Sequence, residues 1–271
     1  MPLPVIRTRG SMKIFRCALA ALALAAAPLH AQDAGELRLS LNIPELLLRV
    51  HDGDRVVKEY PVSPGLPGHD TPAGDFTVQR AEWNPWWRPP ARDWAKDDKV
   101  TPPGPNNPMG RVKLFFAPYY YLHGTPHEKD LGTPASHGCV RMRNADVIEL
   151  ATLLHQRADA TVAVSEIRGI LARPTVTRNS TFRSPVPLEI TYQPVVVRDG
   201  ELRVYRDVYR YNRIHTEAVI QALIAAGYDV SRLDRAAVNG LVAQARQARG
   251  VFKVGIAEAL GVERTATAAK D

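Results

Sequence analysis

The stretch SHGCVRM, residues 136–142, decides how this chain is interpreted, because it contains Cys139. The chain has two cysteines, and the other one, Cys17, lies in an N-terminal segment with the features of a removable signal. Cysteines that stabilise exported proteins normally occur in disulfide pairs, which a single remaining thiol cannot form. A buried, inert thiol is the alternative, but the neighbouring histidine and glycine favour a catalytic nucleophile.

The N-terminal segment, residues 1–31, predicts export. Lys13 and Arg16 precede an apolar run at residues 18–27, and a small residue, Ala31, completes a cleavage site. The run is shorter than the roughly 20 apolar residues that a transmembrane helix needs. We therefore expect a signal peptide, a mature chain without a transmembrane segment, and a periplasmic location.

The charge of the chain is mildly positive, with a net value of +7. Removal of residues 1–31 takes away four basic residues and no acidic ones, which leaves 31 basic and 28 acidic side chains, a net charge of +3. These basic residues are not clustered, so we expect no nucleic-acid partner. A small positive excess is compatible with an anionic polymer such as a cell wall.

The pattern of residues 32–167 predicts a β-rich catalytic domain. Leucines alternate at residues 37–41, and two β-prone runs flank Asp52-Gly53, which is typical of a hairpin. One helix is expected directly after the cysteine motif, with Asn144 as its N-cap and an apolar stripe over residues 147–154.

The rest of the chain shows two further patterns. Residues 168–214 are predicted to be a proline-rich linker and β-hairpin extension, with the hairpin turn at Asp199-Gly200. Residues 215–271 have helical periodicity interrupted by glycines, and predict a small helical C-terminal region with a disordered tail.

Activation of Cys139 requires a base or a positive field, because an ordinary thiol is mostly protonated at neutral pH. His123 and His137 are both candidates for the base from sequence alone. Gly138 would let the backbone turn sharply and direct N–H groups at an oxyanion. Arg141 would stabilise a thiolate or bind a substrate carboxylate.

These residues resemble a known family. His123-Gly124-Thr125, followed by residues 136–141, is similar to the catalytic signature of the L,D-transpeptidases of the YkuD type, which remodel bacterial peptidoglycan. The upstream stretch Thr71-Pro72-Ala73-Gly74 also resembles this domain, so the likeness covers roughly residues 37–165. It implies a mainly β fold, with an L,D-transpeptidase-type β-sandwich that carries one helix after the motif.

The resemblance also implies a reaction. Cys139 would attack the carbonyl of the third residue of a stem tetrapeptide, release D-alanine and form a thioester that an amine then resolves. His123 would be the general base, oriented by the backbone carbonyl of Gly124. N–H groups around Gly138 and Cys139 would form the oxyanion hole, and His137 would be a pocket residue.

The expected substrate groove includes Ser136, Arg141, Trp86 and Trp87. All four tryptophans lie within residues 83–94, next to prolines and arginines. They indicate either a groove wall for glycan or stem peptide, or a loop packed into the core of the domain. The three tyrosines at residues 119–121 are expected to alternate between core and surface as strand residues.

Several alternatives stay open at this level. The acyl acceptor is a diaminopimelate amine, a lysine of an outer-membrane anchoring protein, a D-amino acid, or water, in which case the enzyme is a hydrolase. A non-catalytic wall-binding module is a further alternative. A metal site built from His123, His127, His137 and Cys139 is conceivable, but glycine and proline interrupt any helix there. We expect peptidoglycan stem peptides as partner, no metal and no cofactor.

Overall fold

The computed structural model describes Met1 and residues 35–265. The predicted signal peptide, beyond Met1, and the end of the predicted disordered tail, residues 266–271, lie outside the described residues. The fold described below belongs to the compact unit that begins at Gly35.

The main structure is one mixed sheet of eight strands. Its spatial order is β3-β2-β1-β8-β4-β5-β6-β7, with parallel pairs at β1–β8 and β6–β7 and antiparallel pairs elsewhere. The strands are β1 Leu37–Asn42, β2 Leu47–Asp52, β3 Arg55–Pro61, β4 Gly74–Trp83, β5 Val112–Ala117, β6 Tyr120–Gly124, β7 Val140–Met142 and β8 Arg178–Thr191.

The sheet curls until its two edges approach each other. Ser63, just after the edge strand β3, donates its N–H to the carbonyl of Arg141 in the opposite edge strand β7 at 2.9 Å, and accepts the Arg141 N–H at 2.8 Å. One apolar core fills the inside of the curl, and the helices α1 Asn144–Arg157 and α2 Val164–Leu171 contribute to it. The prediction of a mainly β fold with a helix after the cysteine motif is confirmed.

The start of α1 differs from the prediction. Asn144 is the first helical residue, and Arg143 occupies the N-cap position without a side-chain cap. The Asn144 side chain is used elsewhere: its Oδ1 accepts the N–H of Arg111 at 2.8 Å, and its Nδ2 donates to the carbonyl of Thr125 at 2.9 Å. Asn144 therefore joins the helix to the end of β6 rather than capping its own turn.

The predicted linker at residues 168–214 also needs correction. Its residues 178–191 form β8, which lies in the middle of the main sheet between β1 and β4. Phe182, Val186, Leu188 and Ile190 of this strand are at most 3% exposed and belong to the main core. The catalytic sheet is therefore incomplete at residue 167.

A second, smaller core lies in the C-terminal part of the chain. The predicted hairpin is confirmed: its turn residues Asp199 and Gly200 have φ values of 53° and 77°, as a tight two-residue turn requires. A three-stranded sheet and three helices surround this core: β9 Val195–Arg198, β10 Glu201–Val204, β11 Phe252–Gly255, α3 Thr216–Ala225, α4 Arg235–Gln247 and α5 Ile256–Leu260.

Glu45 links the two cores. This buried carboxylate, 3% exposed, accepts hydrogen bonds from Arg49 in β2, from Arg198 in β9, and from the Tyr205 hydroxyl just after β10. Burial raises the pKa of Glu45, but these hydrogen bonds and the two arginine charges outweigh that effect and lower the pKa to about 2. Glu45 is thus ionised at neutral pH and holds the small sheet against the main one.

Within residues 35–265, no helix is both long and apolar enough to cross a bilayer.

Candidate active site

The pairing of β6 with β7 places the candidate nucleophile and base on one face of the sheet. The two strands are parallel, with Leu122 opposite Val140 and His123 opposite Arg141. Leu122 and Val140 are fully buried in the core. Because side chains alternate between the faces of a strand, Cys139, His123 and Arg141 face the other way.

That opposite face is the floor of an open cleft of about 1500 Å³, which Cys139, His123 and Arg141 all line. The walls come from the loop between β4 and β5, residues 84–111, which we call the tryptophan loop, and from residues 68–70. The cleft brings together residues that lie on four neighbouring strands, and it is large enough for a peptide.

His123 is set up as a neutral base. Its side chain is buried, and its Nδ1 lies 2.6 Å from the backbone carbonyl of Gly124. A carbonyl only accepts, so Nδ1 carries the proton and Nε2 is the basic nitrogen. Burial lowers the pKa of His123 to about 3, with the positive charges of Arg141 and Lys113 acting in the same direction.

The Cys139 thiol is neutral at rest. Its Sγ–H donates to the backbone carbonyl of Tyr119, with an S–O distance of 3.5 Å. Burial raises the pKa of Cys139 to about 11, although the Tyr121 backbone and the charges of Lys113 and Arg141 favour the thiolate. Since thiolate is scarce at neutral pH under these conditions, the arrangement requires proton removal by a base.

Gly138 is required by the shape of the catalytic loop. Its φ of +110° lies in the region that favours glycine, and a Cβ there would approach the Tyr120 ring to 2.7 Å. Its N–H donates to Ser136 Oγ at 3.1 Å. In this structure the Gly138 N–H is engaged by that hydroxyl, and its role in an oxyanion hole stays a prediction. The role of the Cys139 N–H stays a prediction.

The side chains of Ser136 and Thr71 hold this loop in place through hydrogen bonds to its backbone. The Ser136 hydroxyl, 2% exposed, donates to the carbonyl of Cys139 and so braces the loop. Ser136 also lines the cleft, and its contact with substrate stays a prediction. Thr71 was part of the family resemblance but was not predicted as a site residue. Its Oγ1 donates to the carbonyl of Gly138 at 2.9 Å and accepts the N–H of Gly65 at 2.9 Å.

Comparison with known proteins is consistent with this geometry. Residues 38–170 match the family model of the YkuD L,D-transpeptidase catalytic domain. Residues 38–170 form a domain of this family. Among curated relatives of the transpeptidase domain, ErfK/SrfK of Salmonella typhimurium is 34% identical over 116 residues, and YbiS of Escherichia coli K12 is 38% identical over 103 residues. Both carry the name of probable L,D-transpeptidase.

The likeness to these curated relatives is confined to part of each chain. The match to ErfK/SrfK covers 40% of this chain and 38% of the relative, and the match to YbiS covers 35% and 34%. The chain thus spans little more than a third of the length of these relatives. The solved catalytic domain of the Enterococcus faecium L,D-transpeptidase is 13% identical, with a TM-score of 0.39 over 58% of this chain and 98% of that one.

His137, the other candidate base in this L,D-transpeptidase domain, is engaged by aromatic rings. Its imidazole stacks on Trp94 with centroids 4.0 Å apart and planes 2° apart, and the His69 ring packs against it in a T-shaped arrangement with centroids 4.5 Å apart. Burial, His69 and Arg141 lower its pKa. Among the described residues, no hydrogen bond joins either histidine to the thiol. What favours His123 is its fixed tautomer, which leaves Nε2 as the basic nitrogen.

The four tryptophans divide between the two interpretations. Trp83 is fully buried and packs in the main core. Trp86, Trp87 and Trp94 line the cleft, and the rings of Trp87 and Trp94 stack 6.3 Å apart. Contact of Trp86 and Trp87 with substrate stays a prediction, as does that of Arg141.

Sequence analysis did not predict a group of three charged residues and one aromatic residue on the cleft floor. We call this group the floor cluster; it consists of Arg80 and Glu82 of β4, and Lys113 and Phe115 of β5. Lys113 Nζ lies 2.8 Å from a Glu82 oxygen, and the Arg80 guanidinium lies 3.5 Å from the centre of the Phe115 ring. The alternation of apolar and charged residues in both strands could have indicated that these side chains share a face. Within residues 35–265, no three histidine, cysteine or acidic side chains are grouped as a metal site.

Proposed function

We propose that this chain is a cysteine-dependent L,D-transpeptidase that acts on peptidoglycan stem tetrapeptides in the periplasm. The observation that carries the proposal is that Cys139 and His123, whose Nδ1–H is held by Gly124, line the same cleft on one face of neighbouring strands. Membership of residues 38–170 in the L,D-transpeptidase family supports the same reaction.

The first half-reaction begins when Cys139 Sγ attacks the carbonyl carbon of the third stem residue and its proton passes to His123 Nε2. The carbonyl electrons move onto oxygen, and they return as the C–N bond to D-alanine breaks. The imidazolium gives its proton to the leaving amine. The products are free D-alanine and a thioester between the stem peptide and Cys139.

The second half-reaction resolves the thioester. An acceptor amine attacks the thioester carbonyl, and His123 takes a proton from that amine. The C–S bond breaks to release Cys139 as a thiolate, and the His123 imidazolium returns the proton to it, which restores the neutral pair. We propose the side-chain amine of diaminopimelate as acceptor, which gives a 3-3 cross-link. A lysine of an outer-membrane anchoring protein, a D-amino acid or water would use the same first half-reaction.

The test is mass spectrometry of products and of the intact protein after incubation of residues 32–271 with disaccharide-tetrapeptides, with and without a D-amino acid. We expect a thioester on Cys139 and dimers that lack one D-alanine. Both should be absent from Cys139→Ala and His123→Ala, and retained by His137→Ala. Tripeptides as sole product would establish a hydrolase, and an unmodified wild-type protein with unchanged peptides would overturn the proposal.

The periplasmic location needs a separate test, because it rests on the N-terminal sequence. Expression of the full chain in a Gram-negative host, followed by fractionation and N-terminal mass analysis, should recover a periplasmic protein that begins at Gln32. Retention of residues 1–31 in the cytoplasmic fraction would contradict the location and leave the chemistry intact.

A further inference from the structure

The floor cluster has a composition that a simple structural role does not explain. Glu82 and Lys113 face each other across β4 and β5, and their side chains are only 14% and 12% exposed. A pair removed from water to this extent carries a desolvation cost that offsets much of its attraction, so it is weak support for stability. The pair nevertheless lies on the floor of the catalytic cleft.

Arg80 adds a further positive charge to this cluster. Its guanidinium stacks on Phe115, and the Phe115 ring in turn packs edge-on against Tyr121 of β6 at 4.8 Å. No ion pair joins Arg80 to a carboxylate within residues 35–265, although the side chain lines the cleft. A stacked guanidinium keeps its edge N–H groups free, and these can bind a carboxylate with two parallel hydrogen bonds.

The cluster therefore offers two cations and one anion to a ligand. A ligand group that carries a carboxylate and an ammonium on the same carbon would match it, with the carboxylate against Arg80 and Lys113 and the ammonium against Glu82. A group with an ammonium alone would meet two positive charges. The head group that fits is the zwitterionic end of an amino acid.

Building on the proposed function, we infer that Arg80, Glu82 and Lys113 form the subsite for the zwitterionic end of a diamino-dicarboxylic acid at the third position of the donor stem. The enzyme would thus select diaminopimelate-type stems over lysine-type stems.

The position of the subsite favours the donor over the acceptor. Arg80 lies on β4, three strands away from β7, and neighbouring strands are about 4.8 Å apart. An attacking acceptor amine must come within about 3.5 Å of the thioester carbon, and the carboxylate on the same carbon would then lie near Cys139. The far end of the donor side chain is several bonds from the reacting carbonyl, and the Arg80 guanidinium lies over the Phe115 ring of β5, one strand nearer to Cys139 than its own backbone.

The first experiment measures binding without turnover. The Cys139→Ala protein, residues 32–271, is titrated calorimetrically with three tetrapeptides whose third residue is diaminopimelate, diaminopimelate with an amidated side-chain carboxylate, or lysine. We expect the diaminopimelate peptide to bind about tenfold to hundredfold more tightly than the other two, in line with a charge-assisted hydrogen-bonded pair. Equal affinities for all three peptides would overturn the inference.

Variants then test whether Arg80 is responsible. Adding Arg80→Gln should weaken binding of the diaminopimelate peptide to the level of the other two, which should bind no more weakly than before because one repelling cation is gone. Arg80→Lys should retain part of the preference. Arg88→Gln, which removes an arginine of the same cleft on the tryptophan loop, is the matched control and should keep the full preference. Equal weakening of all three peptides by Arg80→Gln would indicate a structural role and contradict the subsite.

A second experiment tests whether the subsite binds the donor or the acceptor peptide. It also distinguishes failure of the subsite from failure of the proposed function. With Cys139 intact, the rate of thioester formation should depend on the donor carboxylate, and Arg80→Gln should remove that dependence. Amidation of the acceptor carboxylate should change the rate of cross-linking by the same factor in the wild type and in Arg80→Gln. If the mutation alters the effect of acceptor amidation but not that of donor amidation, the donor assignment is wrong. If the three peptides differ in affinity as expected but no thioester forms, the proposed function is overturned and the subsite is not. If all three donors form the thioester at equal rates, the subsite alone is overturned.

Discussion

The hydroxyl oxygen of Tyr209 accepts a hydrogen bond from the backbone N–H of Thr71 at 3.0 Å, although 138 residues separate them in sequence. Both residues are buried, at 7% and 2% exposure. Thr71 donates its own hydroxyl to the carbonyl of Gly138, the residue before the proposed nucleophile. A tyrosine that follows β10 of the small C-terminal sheet thus supports the catalytic loop through a single intermediate residue.

We therefore predict that Tyr209→Phe slows thioester formation. Loss of the hydroxyl leaves the Thr71 N–H buried without a partner, which costs about 1–3 kcal/mol, and the catalytic loop can relieve that cost by moving. We expect kcat to fall about tenfold with little change in KM, because the movement displaces Cys139 more than the cleft walls. The measurement is single-turnover acylation at saturating tetrapeptide, well below the melting temperature.

A matched control separates positioning from stability. Tyr228→Phe removes a hydroxyl from a tyrosine that packs against the second core, and it should leave the acylation rate unchanged. If Tyr209→Phe lowers the melting temperature but acylates as fast as the wild type, Tyr209 is only structural.

The resting charge state of the catalytic pair predicts a broad pH profile. The proposed base acts only when unprotonated, and with a pKa lowered to about 3 by burial, His123 has lost its proton well below neutrality. The Cys139 pKa, raised to about 11 by burial, keeps the thiol protonated to high pH. We expect kcat/KM for acylation to be nearly constant from about pH 5 to about pH 9.

Alkylation of Cys139 in the free enzyme tests the protonation state of the same two residues independently. The rate with iodoacetamide should keep rising with pH beyond pH 9, because it follows the thiolate fraction. A rate that levels off near neutral pH, together with a kcat/KM limb there, would instead indicate a thiolate–imidazolium pair at rest.

The local parts of the site could be predicted from sequence because each depends on a short stretch of chain. The strand end at His123-Gly124, the sharp turn at Gly138 and the hairpin at Asp199-Gly200 all follow from residue types at adjacent positions. The hydrogen bond from the Gly138 N–H to the Ser136 hydroxyl did not follow, because the orientation of a serine side chain cannot be inferred from a sequence pattern.

The place of β8 could not be predicted because its sequence contains strand breakers. Pro185 and Pro187 suggested a linker. In the sheet, the register between β4 and β8 shifts between Val78 and Arg80, and the irregularity accommodates the proline-containing stretch next to Val186. The floor cluster was missed for a related reason, since the contact between Glu82 and Lys113 depends on the register of strands separated by the tryptophan loop.

His155 predicts a loss of stability in acid. Its Nδ1 lies 2.6 Å from the Ala151 carbonyl, and its Nε2 accepts the Trp83 indole N–H at 3.4 Å, so the buried ring is neutral. Burial lowers its pKa below the usual 6.5. The unfolded chain therefore binds the proton first, and the stability contributed by the neutral ring is lost as the pH falls below about 6.5.

The measurement is the free energy of unfolding by denaturant at pH 7.5 and 4.5. His155→Gln can still donate to Ala151 and accept from Trp83, but it does not titrate, so the difference between the two pH values should be smaller than in the wild type. His127→Gln, a change at an exposed histidine, should keep the wild-type difference. An unchanged difference in His155→Gln would contradict the prediction.

The central position of β8 predicts that the domain boundary suggested by sequence will not yield a folded fragment. Residues 32–168 lack this strand, whose four buried apolar side chains each contribute about 1.5–3 kcal/mol, or about 6–12 kcal/mol together. That sum is comparable with the whole stability of a typical domain, about 5–15 kcal/mol. We expect residues 32–168 to show no cooperative thermal transition by circular dichroism.

A longer fragment, residues 32–193, keeps all eight strands but loses Tyr209 and the partners of Glu45 in the small sheet. It should melt cooperatively at a lower temperature than the full chain and acylate more slowly. A cooperative transition in the shorter fragment would show that β8 is dispensable, and equal acylation by the longer fragment and the full chain would show that the C-terminal part does not position the catalytic loop.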